Sequence, residues 1–206
     1  MPERRFLQEG KKSYKNRRQN QYEPLQRFLI VCEGEKTEPN YFNKFPIPPG
    51  SVIDVKGIGA NTDSLVKEAI RLMALKKYDQ VWVVFDRDSF TPEHFNAACQ
   101  IADQNGIHKA YSNEAFELWY VLHFFYLDTG ITRDDYCHRL SQRDCFDHRY
   151  EKKSSTIYDE LLSRQPIAIR NAKTLLAQYD PKNPGTDKPS TTVHLLVEQL
   201  NRRVWN

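Results

Sequence analysis

The chain has 206 residues, with 30 lysines and arginines against 27 aspartates and glutamates. That length suits one full domain, or one with an appendage, and can bury a core without staples; the near-even charge gives no argument for nucleic acid by itself. Cys32, Cys99, Cys137 and Cys145 form no C-x-x-C pair, which argues against zinc, and no apolar run approaches the ~20 residues of a membrane span. No apolar stretch follows the basic N-terminus as in a secretory signal. A soluble, reduced, cytoplasmic protein away from membranes is the expectation.

Residues 1–24 are polar and aperiodic, and the first 27 residues carry Arg4, Arg5, Lys11, Lys12, Lys15, Arg17, Arg18 and Arg27 against Glu3, Glu9 and Glu23. They read as a basic flexible arm, either tracking a phosphate backbone or simply solvated. Residues 26–32 form a strand whose Phe28–Cys32 is a fully apolar run of the kind buried in parallel sheets. It ends in Glu33-Gly34-Glu35. Residues 37–45 read as a short helix with Thr37 as N-cap and Pro39 in its first turn. Ser51–Lys56 is a second strand, and 62–77 an amphipathic helix capped by Thr62 or Asp63. Val81–Phe85 is a second fully apolar strand, running into Asp86-Arg87-Asp88. A helix over 92–105, a short strand over 107–111 and an apolar helix over 114–125 follow, with Ser112 or Asn113 as the cap of the last.

This alternation predicts an α/β core over residues 25–128: a four-stranded, mostly parallel sheet with helices on both faces, Rossmann-like in layout. No glycine-rich dinucleotide fingerprint and no phosphate-binding P-loop motif is present. Residues 129–206 read as an α-helical extension. Within it, 132–148 is polar, and helices are expected at 154–163, 165–178 and 190–203, the last capped by Ser190 or Thr191.

Two apolar strands thus end in carboxylates, and parallel strands point their C-terminal ends to one edge, where open α/β sheets bind ligands. Glu33, Asp86 and Asp88 would repel one another there unless a cation neutralised them or some took up protons. Hard oxygen ligands suit Mg²⁺ or Mn²⁺, which can activate water and stabilise charge on a phosphodiester. Glu114 follows the fourth strand on the same edge; it is either a further metal ligand or a helix-dipole partner. Glu117, three positions on, either joins the site or meets an arginine. Lys152 and Lys153 are candidates for stabilising a transferring phosphoryl group, or a solvated helix end. His123, Tyr41, Phe42, Trp119 and Tyr120 read as core, while His138 and His148 sit in a polar stretch where they could meet phosphate.

An apolar strand closed by Glu-Gly, followed by an apolar strand closed by Asp-x-Asp, resembles the Toprim domain of topoisomerases, primases and OLD-family nucleases. Val31–Phe42, Phe85–Asp88, Ser112–Trp119, Asn183-Pro184 and Thr191–His194 resemble more closely the RloB-like family. The resemblance implies a Toprim-like fold, defence against phage by abortive infection, a partner ATPase of the AAA or ABC type, and metal-dependent cleavage of DNA or RNA. By position it makes Glu33 the Toprim glutamate and Asp86 and Asp88 the aspartate pair, with Glu38 resembling the second acidic residue of OLD-type sites. The alternative is a non-catalytic binding or regulatory subunit of an ATPase complex.

Overall fold

The computed structural model describes residues 26–59, 62–87 and 91–202. The basic arm and Asp88 lie outside them. Four strands run parallel: β1 (Arg27–Cys32), β2 (Val52–Gly57), β3 (Gln80–Arg87) and β4 (His108–Asn113), in the order β2-β1-β3-β4. The chain leaves β1 toward one edge and returns through β3 and β4 toward the other. The strand order therefore reverses between β1 and β3, and the crevice at their C-terminal ends is the topological switch point of the sheet.

Both faces of β1 and β3 are covered, which is why neither strand alternates in polarity. Leu29, Val31, Val81, Val83 and Phe85 face α2 (Thr62–Leu75) and α3 (Pro92–Gln104). Phe28, Ile30, Cys32, Trp82 and Val84 face the larger layer. That layer holds α1 (Thr37–Phe42), α4 (Glu117–Val121), α5 (Arg133–Leu140), α6 (Ile157–Leu161), α7 (Gln165–Leu176) and α8 (Val193–Asn201). Its centre is aromatic. Tyr41 meets Phe42, Phe45, Phe116 and Tyr158 edge-on, and its hydroxyl accepts from Gln165 Nε2 at 3.3 Å. Such rings bury large areas and gain further from edge-to-face geometry. No helix among the described residues is long and apolar enough to cross a membrane, and the four cysteines are free thiols.

Several boundaries depart from the sequence reading, each for a local reason. The expected helix at 114–125 begins only at Glu117, because Ser112 and Asn113 stay in β4 and Glu114 turns the chain with φ 81°. Thr37 does not cap α1; Lys36 stands at that position, and the Thr37 hydroxyl donates to Lys152 O at 2.9 Å. Ser190 and Thr191 do not cap α8 either. Thr191 forms an antiparallel bridge with Ser112, Asn113 N donates to Ser190 O at 2.8 Å, and Thr192 N donates to Tyr111 O at 2.9 Å. These contacts cover the outer edge of β4, which would otherwise present unpaired backbone groups. The polar stretch 132–148 contains α5, started by a capping box in which Thr132 and Asp135 satisfy each other's backbone N–H. Helix α6 is short and runs into a 3-10 turn at Leu162–Arg164.

Candidate functional site

The site is built where β1 and β3 end. Glu33 follows Cys32, and its N–H continues the ladder to Val84 O at 2.9 Å. Its carboxylate folds back over the strand ends: Oε2 accepts from Asp86 N at 3.1 Å and Oε1 from the Thr62 hydroxyl at 3.4 Å. Asp86 is the seventh residue of β3, paired with Ser112 of β4. It continues the set Trp82, Val84, so strand alternation sends its side chain to the large-layer side. There it approaches Glu38 on α1 and Glu117, the first residue of α4. Glu38 is 5 % exposed and Glu117 1 %.

Gly34 makes the Glu38 placement possible. A Cβ at position 34 would collide with Glu38 Oε2. The glycine after Glu33 is thus required less for turning the chain than for letting a buried carboxylate lie against its backbone. Gly57, at the end of β2, is equally constrained: a Cβ there would lie 2.6 Å from Gly34 O and 2.8 Å from Pro39 Cγ.

Opposing cations reach this acidic floor from two directions. Arg133, the first residue of α5, places Nη2 3.4 Å from Asp86 Oδ2. Lys152 places Nζ 3.8 Å from Glu117 Oε1, and the Tyr150 hydroxyl donates to the same oxygen at 3.1 Å. Tyr150 and Lys152 lie on the segment joining α5 to α6. That segment is tied to α1 by Thr37 and by Asn40 Nδ2, which donates to Lys153 O at 2.9 Å and to Ser154 O at 3.4 Å. The helix that carries Glu38 therefore also anchors the segment that carries Lys152.

The charges do not cancel. Burial, then the negative charges of Glu38 and Glu117, push the Asp86 carboxyl well above its ordinary range, and Arg133 offsets this only in part. Burial also raises Glu38; its own backbone N–H works against that, Glu117 adds to it, and Lys152 and Arg133 oppose it. Burial and the same carboxylates raise the Tyr120 hydroxyl. Two carboxylate oxygens, Glu38 Oε2 and Asp86 Oδ1, are buried with no hydrogen-bond partner. Buried acceptors left without a donor are costly, and each calls for a proton, a water or a cation.

Of the residues singled out from sequence, Glu33, Glu38 and Asp86 gather at this lip, with Lys152 beside it. Glu114 sits at the rim, its carboxylate 2.5 Å from Lys188 Nζ. Lys153 is exposed and contributes its carbonyl to Asn40. Asp88 lies outside the described residues. Among the described residues, no three His, Cys, Asp or Glu side chains converge as a ready-made metal-binding set. His123 is a core histidine: Nδ1 bonds Trp119 O at 2.9 Å, and burial pushes its pKa down to about 3. His138 pairs with Gln142, and His148 with Glu160 at 2.8 Å. Arg133 and Tyr150 were missed by sequence reasoning. The Thr132-x-x-Asp135 capping signature was the available signal for α5, and it would have placed Arg133 at a helix start.

No curated protein and no solved structure matches the chain. A family model described as RloB-like protein matches residues 28–200, a span that runs from the first core residue of β1 to the last turn of α8. Glu33, Glu38, Asp86, Glu117, Arg133 and Lys152 all fall inside it, and the chain belongs to the RloB-like family.

Proposed function

We propose that the chain is a Mg²⁺- or Mn²⁺-dependent phosphodiesterase acting on DNA or RNA, with its site at the β1/β3 lip. The observation that carries this reading is the pair of buried, unpartnered oxygens on Glu38 and Asp86, set among four carboxylates at a topological switch point. The donor set fits: Mg²⁺ is usually held by one or two carboxylates and keeps several waters, so it needs no larger protein cage. Glu38 and Asp86 would hold the ion, with Glu33 fixing the backbone of Asp86 and sharing the lip. When bound, such an ion polarises the phosphodiester and lowers the pKa of a water. Glu117 takes a hydrogen bond from Tyr150 and pairs with the charge of Lys152, and thereby orients the lysine toward the lip. Lys152 would offset charge developing on the phosphoryl oxygens. Membership of the RloB-like family supports the further proposal that the activity serves defence against phage, in company with a partner ATPase.

The test is cleavage of labelled DNA and RNA by the purified chain, alone and with its partner, across divalent metals. Glu33→Gln and Asp86→Asn should each lose at least about 100-fold in rate while remaining folded, the scale of loss seen when one key electrostatic group is removed. Equal cleavage by both variants, with contaminating nuclease excluded, refutes the reading. A second reading, a non-catalytic subunit of an ATPase complex, draws on the contact that already pairs Asp86 with Arg133. It predicts intact partner binding in Glu33→Gln and no cleavage by the wild-type pair in any metal.

A further inference from the structure

Arg133 occupies a place that helix α5 does not need filled by a cation. It is the first residue of the helix, where the positive end of the dipole disfavours a positive charge. The capping box of Thr132 and Asp135 already satisfies that end, and Asp134 adds a negative charge. The reasons for an arginine lie outside the helix. Its Nη2 donates to Asp86 Oδ2 at 3.4 Å and to Glu114 O at 3.3 Å.

Glu114 is itself unusual. Its φ of 81° is a left-handed conformation that residues with a Cβ rarely adopt. It is held there on three sides: its N–H donates to Arg87 O at 3.1 Å, its carboxylate meets Lys188, and its carbonyl receives Arg133. Strained backbone that its surroundings over-determine is concentrated at functional sites. Here the strained peptide aims a carbonyl at the guanidinium. The Arg133 side chain is 33 % exposed and that of Asp86 13 %, so Arg133 reaches from a buried carboxylate to the open rim.

We propose that Arg133 contacts a phosphate of the nucleic-acid strand lying across the carboxylate lip. The guanidinium carries a permanent positive charge suited to phosphate, and its position beside Asp86 would set that phosphate next to the cation-binding carboxylates. The assignment rests on the phosphodiesterase reading for the identity of the ligand. The experiment therefore measures binding apart from cleavage. Short fluorescein-labelled DNA and RNA oligonucleotides are titrated with the full chain in Ca²⁺ over a range of KCl concentrations.

Arg133→Ala should bind about tenfold more weakly, with the slope of log Kd against log salt reduced by about one, the signature of one lost phosphate contact. Arg133→Lys should keep the slope and recover part of the affinity, since it keeps the charge but not the contacts by which the guanidinium is positioned on Asp86 and the Glu114 carbonyl. Circular dichroism and Mn²⁺ titration serve as controls: both variants should be folded and bind Mn²⁺ at least as tightly as wild type. Unchanged affinity and slope in folded Arg133→Ala, or no oligonucleotide bound by wild type, overturns the assignment. If Arg133→Ala does not fold, Arg133→Lys decides: a slope lowered by one, or affinity equal to wild type, overturns it. A wild-type chain that binds the probes in an Arg133-dependent way yet cleaves nothing in Mg²⁺ or Mn²⁺ refutes the hydrolytic reading and leaves the phosphate contact standing.

Discussion

Asp86 and Glu38 are carboxyls in a place that favours their neutral form, and this has a consequence for stability. The ordinary values for the two groups are 3.8 and 4.5, and both are raised in the folded chain. The folded state therefore retains protons that the unfolded state has released. Their contribution to stability is fully present below those ordinary values and is lost as pH rises through the raised ones. Without divalent metal, the melting temperature should fall as pH rises above the ordinary carboxylate range and through the raised values. Asp86→Asn should melt higher than wild type at pH 8 and show a flatter pH profile, and Mn²⁺ should raise the wild-type melting temperature selectively. Thermal melts in EDTA check this; a wild-type profile no steeper than that of Asp86→Asn would contradict it. At this scale the sequence was informative where strand ends impose position. Glu33 and Asp86 were legible because each closes a fully apolar run. The packing of Glu38 under Gly34 was not, because it depends on a helix folding back over the turn.

The element that completes the site is the segment between α5 and α6. It places Tyr150 and Lys152 on Glu117 and is held to α1 by Thr37 and Asn40. Asn40→Ala removes the donor to Lys153 O and Ser154 O. It should cost on the order of 1 kcal/mol of stability, the typical net value of such bonds. It should also speed amide exchange across residues 150–156 more than elsewhere and lower cleavage more than its stability loss explains. Exchange unchanged in that segment would show that the tether does not hold it. Elements were legible where periodicity is strong, as in α2, α3 and the two central strands. They were misplaced where a side chain has a better partner than its own helix. Thr37 and Thr191 are good caps by composition, yet the Thr37 hydroxyl serves Lys152 O, and that of Thr191 donates to Tyr111 O while accepting from Val193 N at 3.3 Å from one position before the cap. The helix after β4 starts late because Glu114 adopts a conformation that no residue-type rule assigns to glutamate. Helix α5 was hidden by its polarity, since only Tyr136 and Leu140 are buried in it.

For the whole molecule, alternation of strands and helices was enough to specify a parallel sheet with two covered faces, and thereby to bring Glu33 and Asp86 to one edge. It was not enough to show how residues beyond 128 contribute. Arg133, Tyr150 and Lys152 come to the lip and Lys188 to its rim from beyond residue 128, and α7 and α8 share one core with β1 and β3. The ends of β1 and β3 and the helices α1 and α4 supply the carboxylates and the later segments supply the cations, so the site exists only in the assembled fold. The function proposed for this lip depends on its holding a divalent cation. Its most direct test is a crystal of the full chain soaked in Mn²⁺, with anomalous diffraction recorded at the manganese edge. An anomalous peak is expected in contact with the carboxylates of Asp86 and Glu38. A fully soaked crystal with no peak at the β1/β3 lip would contradict it.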